Sequence, residues 1–472
     1  MLLKSDLKIF KSDFFIEYEF LKRNYEEMTI NLDLNRPQNN TNFSFGANPN
    51  PKRLSRELTE NLSRGQKFLS KVIDLKEGDS GLSHSRFAQA TLTNWFPKAI
   101  FSRSIADLSE VTFLEVMEGA LFFYLPSIVG EHLSRRKIFN KFLPKELHDS
   151  VSKPVAAIVK EGGKNAQKLL PVKAAIVLSC AAIPAAEYGL SFAKNLFTLK
   201  VFKKADFTSV VNLDKSKKVD EKTSQERVEK SAKSHLKKVG IFSGLTFASS
   251  LLLGTLGQKS KGVAKACEYF LNPGEKLYKG LSKVGVNSQK LEKFLNKYLN
   301  LDFARKSDGG LALGHGQLAV TVLAGVKGYF DAAHDRGKLD VQEVATRVPI
   351  IALYTIFGSA LFDEGFKNLL YKNKKYADIL TKNEKTGEFR VAGLDEIPEI
   401  AKRKVNSTDK QAMEKEVQKL FKGKAVISLV PFLFSLGVVG ALLSLVSRIW
   451  TQHRYDKLQA QKAGNNQLKT GA

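Results

Sequence analysis

The 472-residue chain has few of the residues on which small disulfide-linked or metal-bound folds depend. It contains two cysteines, Cys180 and Cys267, and neither has another cysteine or a histidine at metal-binding spacing. This excludes a disulfide framework and a zinc knuckle as organising features of the fold. The sequence therefore predicts no metal ligands.

Motifs of common catalytic and nucleotide-binding sites are also absent. The chain has no phosphate loop of the Gly-Lys-Ser/Thr type, no His-Glu-x-x-His pair and no Gly-x-Ser-x-Gly elbow. A calcium loop with Gly337 in its required sixth position fails, because its first three ligand positions would hold Ala332, His334 and Arg336. The sequence predicts no catalytic residue and no cofactor, and it favours a non-enzymatic protein.

The amino-terminal region lacks the compact apolar run and small-residue cleavage site of a secretory signal. Met28 is a second candidate for the start of translation. Residues 33–52 are rich in asparagine and poor in apolar side chains, so they cannot bury enough surface to offset the entropy of ordering. Residues 1–52 are expected to form a disordered tether.

Positive charge is abundant and widely distributed. The chain has 74 Lys and Arg against 48 Asp and Glu, a net charge of 74 − 48 = +26. Such an excess favours anionic partners. Because lysines fill every gap between the apolar stretches, anionic lipid headgroups are the expected partner and nucleic acid is not. The same distribution prevents the positive-inside rule from orienting the chain.

Apolar stretches interrupt this basic chain, each close to the length that separates a buried core helix from a membrane span. They predict an all-α fold, a membrane bundle of about six apolar helices with basic amphipathic helices on its surface. Small residues four apart, such as Ala181 and Ala185, favour close helix packing and self-association. The stretches are 111–133, 172–199, 239–256, 311–330, 348–362 and 425–446.

Two of these stretches are related by an offset of 340 − 107 = 233 residues. Each follows an Asp-x-x-Glu sequence, which we interpret as a capping box that begins a helix, and each ends near a glutamate. A second match, Lys173-Ala-Ala-Ile with Lys424-Ala-Val-Ile, has an offset of 251. The pattern predicts two weakly related halves. The paired positions are Asp107 with Asp340, Glu110 with Glu343, and Glu131 with Glu364.

The predicted organisation places a first helical half at 53–257 and a second at 307–454, joined by a basic amphipathic connector at 258–306. The second half carries a charged insertion at 372–424. A disordered polar tail is expected at 455–472.

Charged residues within the apolar stretches are the candidate functional residues, because charges in a bilayer are costly and often functional. One interpretation places them around a polar cavity; the other has them near helix ends, paired with the many lysines. The candidates are Glu115, Glu118, Glu187, His315 and Lys327.

These features favour an uncleaved integral membrane protein of the bacterial inner membrane or an equivalent membrane, either transporter-like or channel-like or a scaffold. The first alternative is a peripheral or soluble helical protein that acts in interaction or membrane remodelling. The second is a lipid-modifying membrane enzyme, for which no nucleophile and base stand out.

Overall fold

The computed structural model describes residues 58, 60–77, 94–125, 143–147, 149–213, 221–302, 304–305, 311–312, 314–384, 387–405 and 409–470. All belong to one unit, Asn48–Ala472. The expected tether at 1–52, with Met28, lies outside the described residues. So do Glu131 and the end of the first apolar stretch.

The described chain is almost entirely helical, which confirms the all-α prediction. The helices of its first part are α1 (Arg64–Glu77), α2 (Phe96–Ile100), α3 (Ile105–Gly119), α4 (Val155–Glu161), α5 (Gly163–Ser179), α6 (Ala182–Phe202), α7 (Phe207–Val210) and α8 (Glu221–Leu256). Helices α9 (Lys261–Leu271), α10 (Pro273–Lys283) and α11 (Gln289–Leu299) form the basic connector.

The second part continues with α12 (His315–His334), α13 (Lys338–Leu353), α14 (Ser359–Lys372), α15 (Ile397–Val405), α16 (Lys410–Phe434) and α17 (Leu443–Thr470). Three π-helical segments extend α3, join α13 to α14 and join α16 to α17. They are Ala120–Tyr124, Tyr354–Gly358 and Ser435–Leu442.

The strands of the described residues are short and form two antiparallel hairpins. One pairs β1 (Ala304–Arg305) with β2 (Leu311–Ala312), and the other pairs β3 (Leu380–Lys382) with β4 (Phe389–Val391). The second hairpin lies in the charged insertion, where the sequence indicates an extended piece at 389–391.

The second apolar stretch lies in one helical segment, Gly163–Phe202, whose regular hydrogen bonding is interrupted at Cys180 and Ala181, between α5 and α6. A kink is expected at Pro184, because a proline lacks the N–H that would bond to the carbonyl four residues earlier and its ring clashes with that carbonyl. That carbonyl belongs to Cys180, so the interruption lies where the proline predicts it.

Three expectations are corrected. The highly charged connector between residues 203 and 238 is typical of a solvated helical hairpin, but this expectation is wrong for the described part, because Glu221–Leu256 is one continuous helix of 36 residues. The tail expected to be disordered from residue 455 is helical as far as Thr470, as an extension of α17. The fourth stretch begins in β2, and its helix starts only at His315.

Four helical segments of the described residues are long and apolar enough to cross a membrane, fewer than the six expected. Neither α3 nor α12 is among them. In Gly163–Phe202, 67% of the most apolar window is buried, whereas the other three bury only 17 to 22%. Those three are Lys222–Lys259, Lys338–Lys372 and Lys410–Gly464.

Helix α6 occupies the centre of the bundle, in contact with α3, α8 and α12. Two larger apolar cores lie elsewhere. One surrounds α5, with contributions from α4 and α9, and the other surrounds α16, with contributions from α1, α15 and the β3–β4 hairpin.

Candidate functional site

Two arginines make a reciprocal exchange of ion pairs between α3 and α13. Arg103, just before α3, donates from Nη2 to both carboxylate oxygens of Glu343 on α13, at 3.0 and 2.9 Å. Arg336, just before α13, donates from Nη1 to Oε2 of Glu110 on α3, at 3.0 Å. Each helix therefore supplies the anion for the arginine that precedes the other. We call Arg103, Glu110, Arg336 and Glu343 the exchange pairs.

The surroundings of the two arginines are alike. Arg103 Nε lies 3.7 Å from Asp107, and Arg336 Nε lies 3.4 Å from Asp340, each four residues further along its own chain segment. Both guanidinium groups lie over the ring of Phe207 on α7, at 5.5 and 5.8 Å from its centroid. Phe207 thus packs between the two ends of the exchange through cation–π contacts.

Burial makes the exchange pairs energetically important. The Arg336 side chain is 2% exposed and that of Glu110 8%. Burial alone lowers the pKa of Arg336, but the carboxylates of Glu110 and Asp340 outweigh it and raise that pKa above its ordinary value. A buried pair of this kind adds little net stability, yet the loss of one partner leaves an uncompensated buried charge.

Helices α6 and α17 also contribute in similar ways. Asn195 on α6 donates to the carbonyl of Ala332, at 2.9 Å, near the end of α12. Arg448 on α17 donates to the carbonyl of Lys98, at 3.1 Å, in α2. In both cases a side chain of a long helix donates a hydrogen bond to a backbone carbonyl that lies a few residues before an exchange arginine.

The capping boxes expected at Asp107 and Asp340 are not the observed arrangement. Helix α3 is capped by Ser104, whose hydroxyl accepts from the backbone N–H of Asp107, and helix α13 begins after Gly337 at φ = 115°. Glu110 and Glu343 lie beyond the caps and are buried opposite arginines instead. The Asp-x-x-Glu pattern marks the right helices, but the glutamates serve the contact between them.

A second buried polar group lies where α2, α3, α6 and α12 meet. Lys98 is hydrogen-bonded to Glu115, and the Tyr329 hydroxyl donates to Glu118 at 2.5 Å. Glu187 on α6 is 4% exposed and is repelled by the carboxylates of both Glu118 and Glu115. We call Glu115, Glu118 and Glu187 the acidic cluster.

The Glu187 carboxylate is the least satisfied member of this cluster. Its Oε2 atom is buried and has no hydrogen-bond partner among the described residues. Its Oε1 atom lies against Gly325 of α12, so close that a Cβ added there would be 2.8 Å away. The glycine therefore makes room for the carboxylate at the α6–α12 crossing.

Two of the candidate residues are placed elsewhere. His315 begins α12 and packs edge-on against Tyr298, and Lys327 is exposed and paired with Asp331 at 2.6 Å. Glu364, the residue matched to Glu131, is exposed on α14. The structure thus brings together three of the five predicted cavity residues, and these are the three acids.

Sequence reasoning missed the arginines and Phe207. Arg103 and Arg336 are separated by 336 − 103 = 233 residues, the offset of the Asp-x-x-Glu match, so that alignment contained a signal for them. Phe207 had none, because it lies on the short α7 outside the aligned segments.

Fold and site together define an all-α protein with four candidate membrane spans and a charged interior. The described residues contain no group of histidine, cysteine, aspartate and glutamate side chains that could hold a metal ion. Comparison of the chain with models of known families, with curated proteins and with solved structures finds no match.

Proposed function

We propose that this chain is an integral membrane protein with a transporter-like plan, in which two related halves meet at the exchange pairs. The supporting observation is the surface of α8. From Gly240 to Leu256 this helix has no charged residue, and most of its large side chains face outward. Those exposed beyond a third of their area are Ile241, Phe242, Leu245, Phe247, Leu252 and Leu256.

A surface of this kind is unfavourable in water. Soluble proteins therefore rarely expose large continuous apolar patches. Similar exposed side chains occur on the other two weakly buried candidate spans, for example Leu353 and Leu361 on Lys338–Lys372, and Leu442 and Ile449 on Lys410–Gly464. Lipid is the environment that removes this cost. Within Gly163–Phe202, the mostly buried candidate span, α6 would then form the centre of the bundle.

Sequence offsets between corresponding helices and buried lysines favour a duplicated plan. Helices α3 and α13 begin 338 − 105 = 233 residues apart, the same offset as the exchange arginines. The matched Lys173 and Lys424 are each 1% exposed, at the offset 424 − 173 = 251. In transporters built from repeats, the pathway lies at the interface between the repeats. The acidic cluster shares α3 with this interface and contains a buried carboxylate oxygen without a hydrogen-bond partner among the described residues.

Anionic lipid headgroups are the proposed partner of α9, α10 and α11. These helices carry eight lysines and three glutamates between residues 261 and 299 and expose apolar side chains such as Leu277 and Phe294. Basic amphipathic helices of this type lie in the headgroup layer. For self-association, we propose the exposed small residues Gly240, Gly244 and Ala248 of α8, spaced for close helix contact.

Alkaline carbonate extraction tests membrane insertion. We expect the chain to stay in the membrane pellet and to need detergent for purification, because exposing the apolar half of α8 to water is energetically unfavourable. Release into the alkaline supernatant as a monodisperse protein would instead support the peripheral or soluble alternative.

A further inference from the structure

We propose that the acidic cluster binds a proton between α3, α6 and α12. This assignment rests on the membrane-embedded plan proposed above and specifies its ligand. The first argument is charge. Of the three carboxylates, Glu115 is paired with Lys98, and Glu118 is attracted by Lys98 and Arg347. The ionised cluster would therefore carry one negative charge more than its cations balance.

The unbalanced charge falls on Glu187. The charges that act on it most strongly are the two other carboxylates of the cluster. Neighbouring basic side chains are engaged elsewhere: Lys327 pairs with Asp331, and His235 on α8 is hydrogen-bonded to Tyr188. A buried carboxylate without a cation takes up a proton or a positive ligand. The unpartnered Oε2 atom is where that ligand would bind.

The second argument is that the related half of the chain is built without these acids. At the offset of 233, Glu115 and Glu118 correspond to Val348 and Ile351 on α13. Aligning the polar positions Ser191 and Thr198 with Ser444 and Thr451 gives an offset of 444 − 191 = 253, which matches Glu187 with Gly440.

Apolar residues thus fill the equivalent places, and Val348 is buried. The helices of the second half therefore form without carboxylates at these places. In the first half Glu115 and Glu118 have protein partners in Lys98 and Tyr329, so Glu187 is the acid that is left for a ligand.

The test is labelling of the full-length protein in membranes with dicyclohexylcarbodiimide, an apolar reagent that modifies protonated carboxyl groups, followed by peptide mass spectrometry. We expect modification of Glu187 that declines as the pH is raised. Protection by sodium or potassium chloride at constant pH, but not by choline chloride, would identify a metal cation as the ligand and overturn the proposed proton site. Absence of protection identifies the proton as the ligand.

Two glycine variants make the test specific. Gly325→Ala places a Cβ 2.8 Å from Glu187 Oε1 and should reduce labelling of Glu187 severalfold, because the carboxylate must move. Gly365→Ala on α14 meets nothing within 4 Å and should leave labelling unchanged. The exposed Glu364 serves as an internal reference and should be labelled much less than Glu187.

Absence of label on all three acids, or equal labelling of Glu364 and Glu187, overturns the proposed site. If the same membranes resist carbonate extraction, the membrane-embedded plan still stands. Release of the protein by carbonate would reject that plan itself.

Discussion

Replacing Arg336 by alanine is expected to lower the free energy of unfolding by about 3–5 kcal/mol, the range for breaking one buried ion pair. The guanidinium is almost fully buried, and its removal leaves Glu110 and Asp340 without their closest cation. It also removes one of the two cation–π contacts with Phe207. Thermal and denaturant unfolding in detergent micelles, followed by circular dichroism, measures the loss.

A surface pair of the same chemistry provides the control. Arg390 donates from Nη2 to both carboxylate oxygens of Glu396, at 2.9 Å, but its side chain is 68% exposed. Arg390→Ala should cost at most about 1 kcal/mol, because water screens and replaces an exposed pair. Equal losses for Arg336→Ala and Arg390→Ala would contradict the importance assigned to burial.

A second substitution distinguishes the stability lost through an unpaired buried charge from the stability lost through packing. In the Arg336→Ala background, Glu110→Gln removes one of the two stranded charges and should recover part of the lost stability. If it causes a further loss of the same size as in the wild-type background, the two side chains are not energetically coupled.

Gly328→Ala is expected to have an effect of comparable size, about 3 kcal/mol, at the upper end for overpacking. A Cβ at this position would lie 2.3 Å from the Tyr188 carbonyl oxygen and 2.9 Å from its Cα. Both are backbone atoms of α6, so no side chain can rotate away, and α6 and α12 must separate. The folded yield and the unfolding midpoint in detergent measure the change.

Gly365→Ala is the matched control, because its added Cβ meets nothing within 4 Å. Alanine favours the helix more than glycine, so this variant should be neutral or more stable by up to about 1 kcal/mol. A Gly328→Ala protein as stable as the Gly365→Ala protein would show that α6 and α12 do not approach so closely.

The sequence predicts the helical class well but the helix boundaries poorly. Apolar periodicity locates each stretch, yet it cannot show that the polar residues on either side continue the same helix. Residues 348–362, bounded by Arg347 and Asp363, are by themselves too short for a span, but the helical segment runs from Lys338 to Lys372. The charged residues at both ends are good helix formers and extend it.

For the candidate site too, the sequence predicts one part and not the other. Glu115 and Glu118 are three residues apart, so their closeness follows from helical spacing. The approach of Glu187 depends on how α6 packs against α3 and α12, which local sequence does not encode. The exchange pairs could not be predicted for the same reason: an offset relates Arg103 to Arg336, but only the packing of the helices shows that each arginine binds the glutamate of the helix that follows the other arginine.

Cysteine accessibility along α8 tests most directly whether this chain is embedded in lipid. In a background with Cys180→Ser and Cys267→Ser, single cysteines replace Lys230 in the charged part of the helix and Phe247 in its apolar part. Both side chains are exposed on the surface of the protein itself: Lys230 is exposed, and Phe247 is 45% exposed.

The intact membranes are prepared so that the face that carries residue 230 is exposed to the reagent. A membrane-impermeant maleimide should then label the Lys230→Cys protein. It should label the Phe247→Cys protein only after detergent is added, because lipid covers that part of the helix. Labelling of Phe247→Cys in intact membranes as fast as Lys230→Cys would contradict the membrane-embedded account.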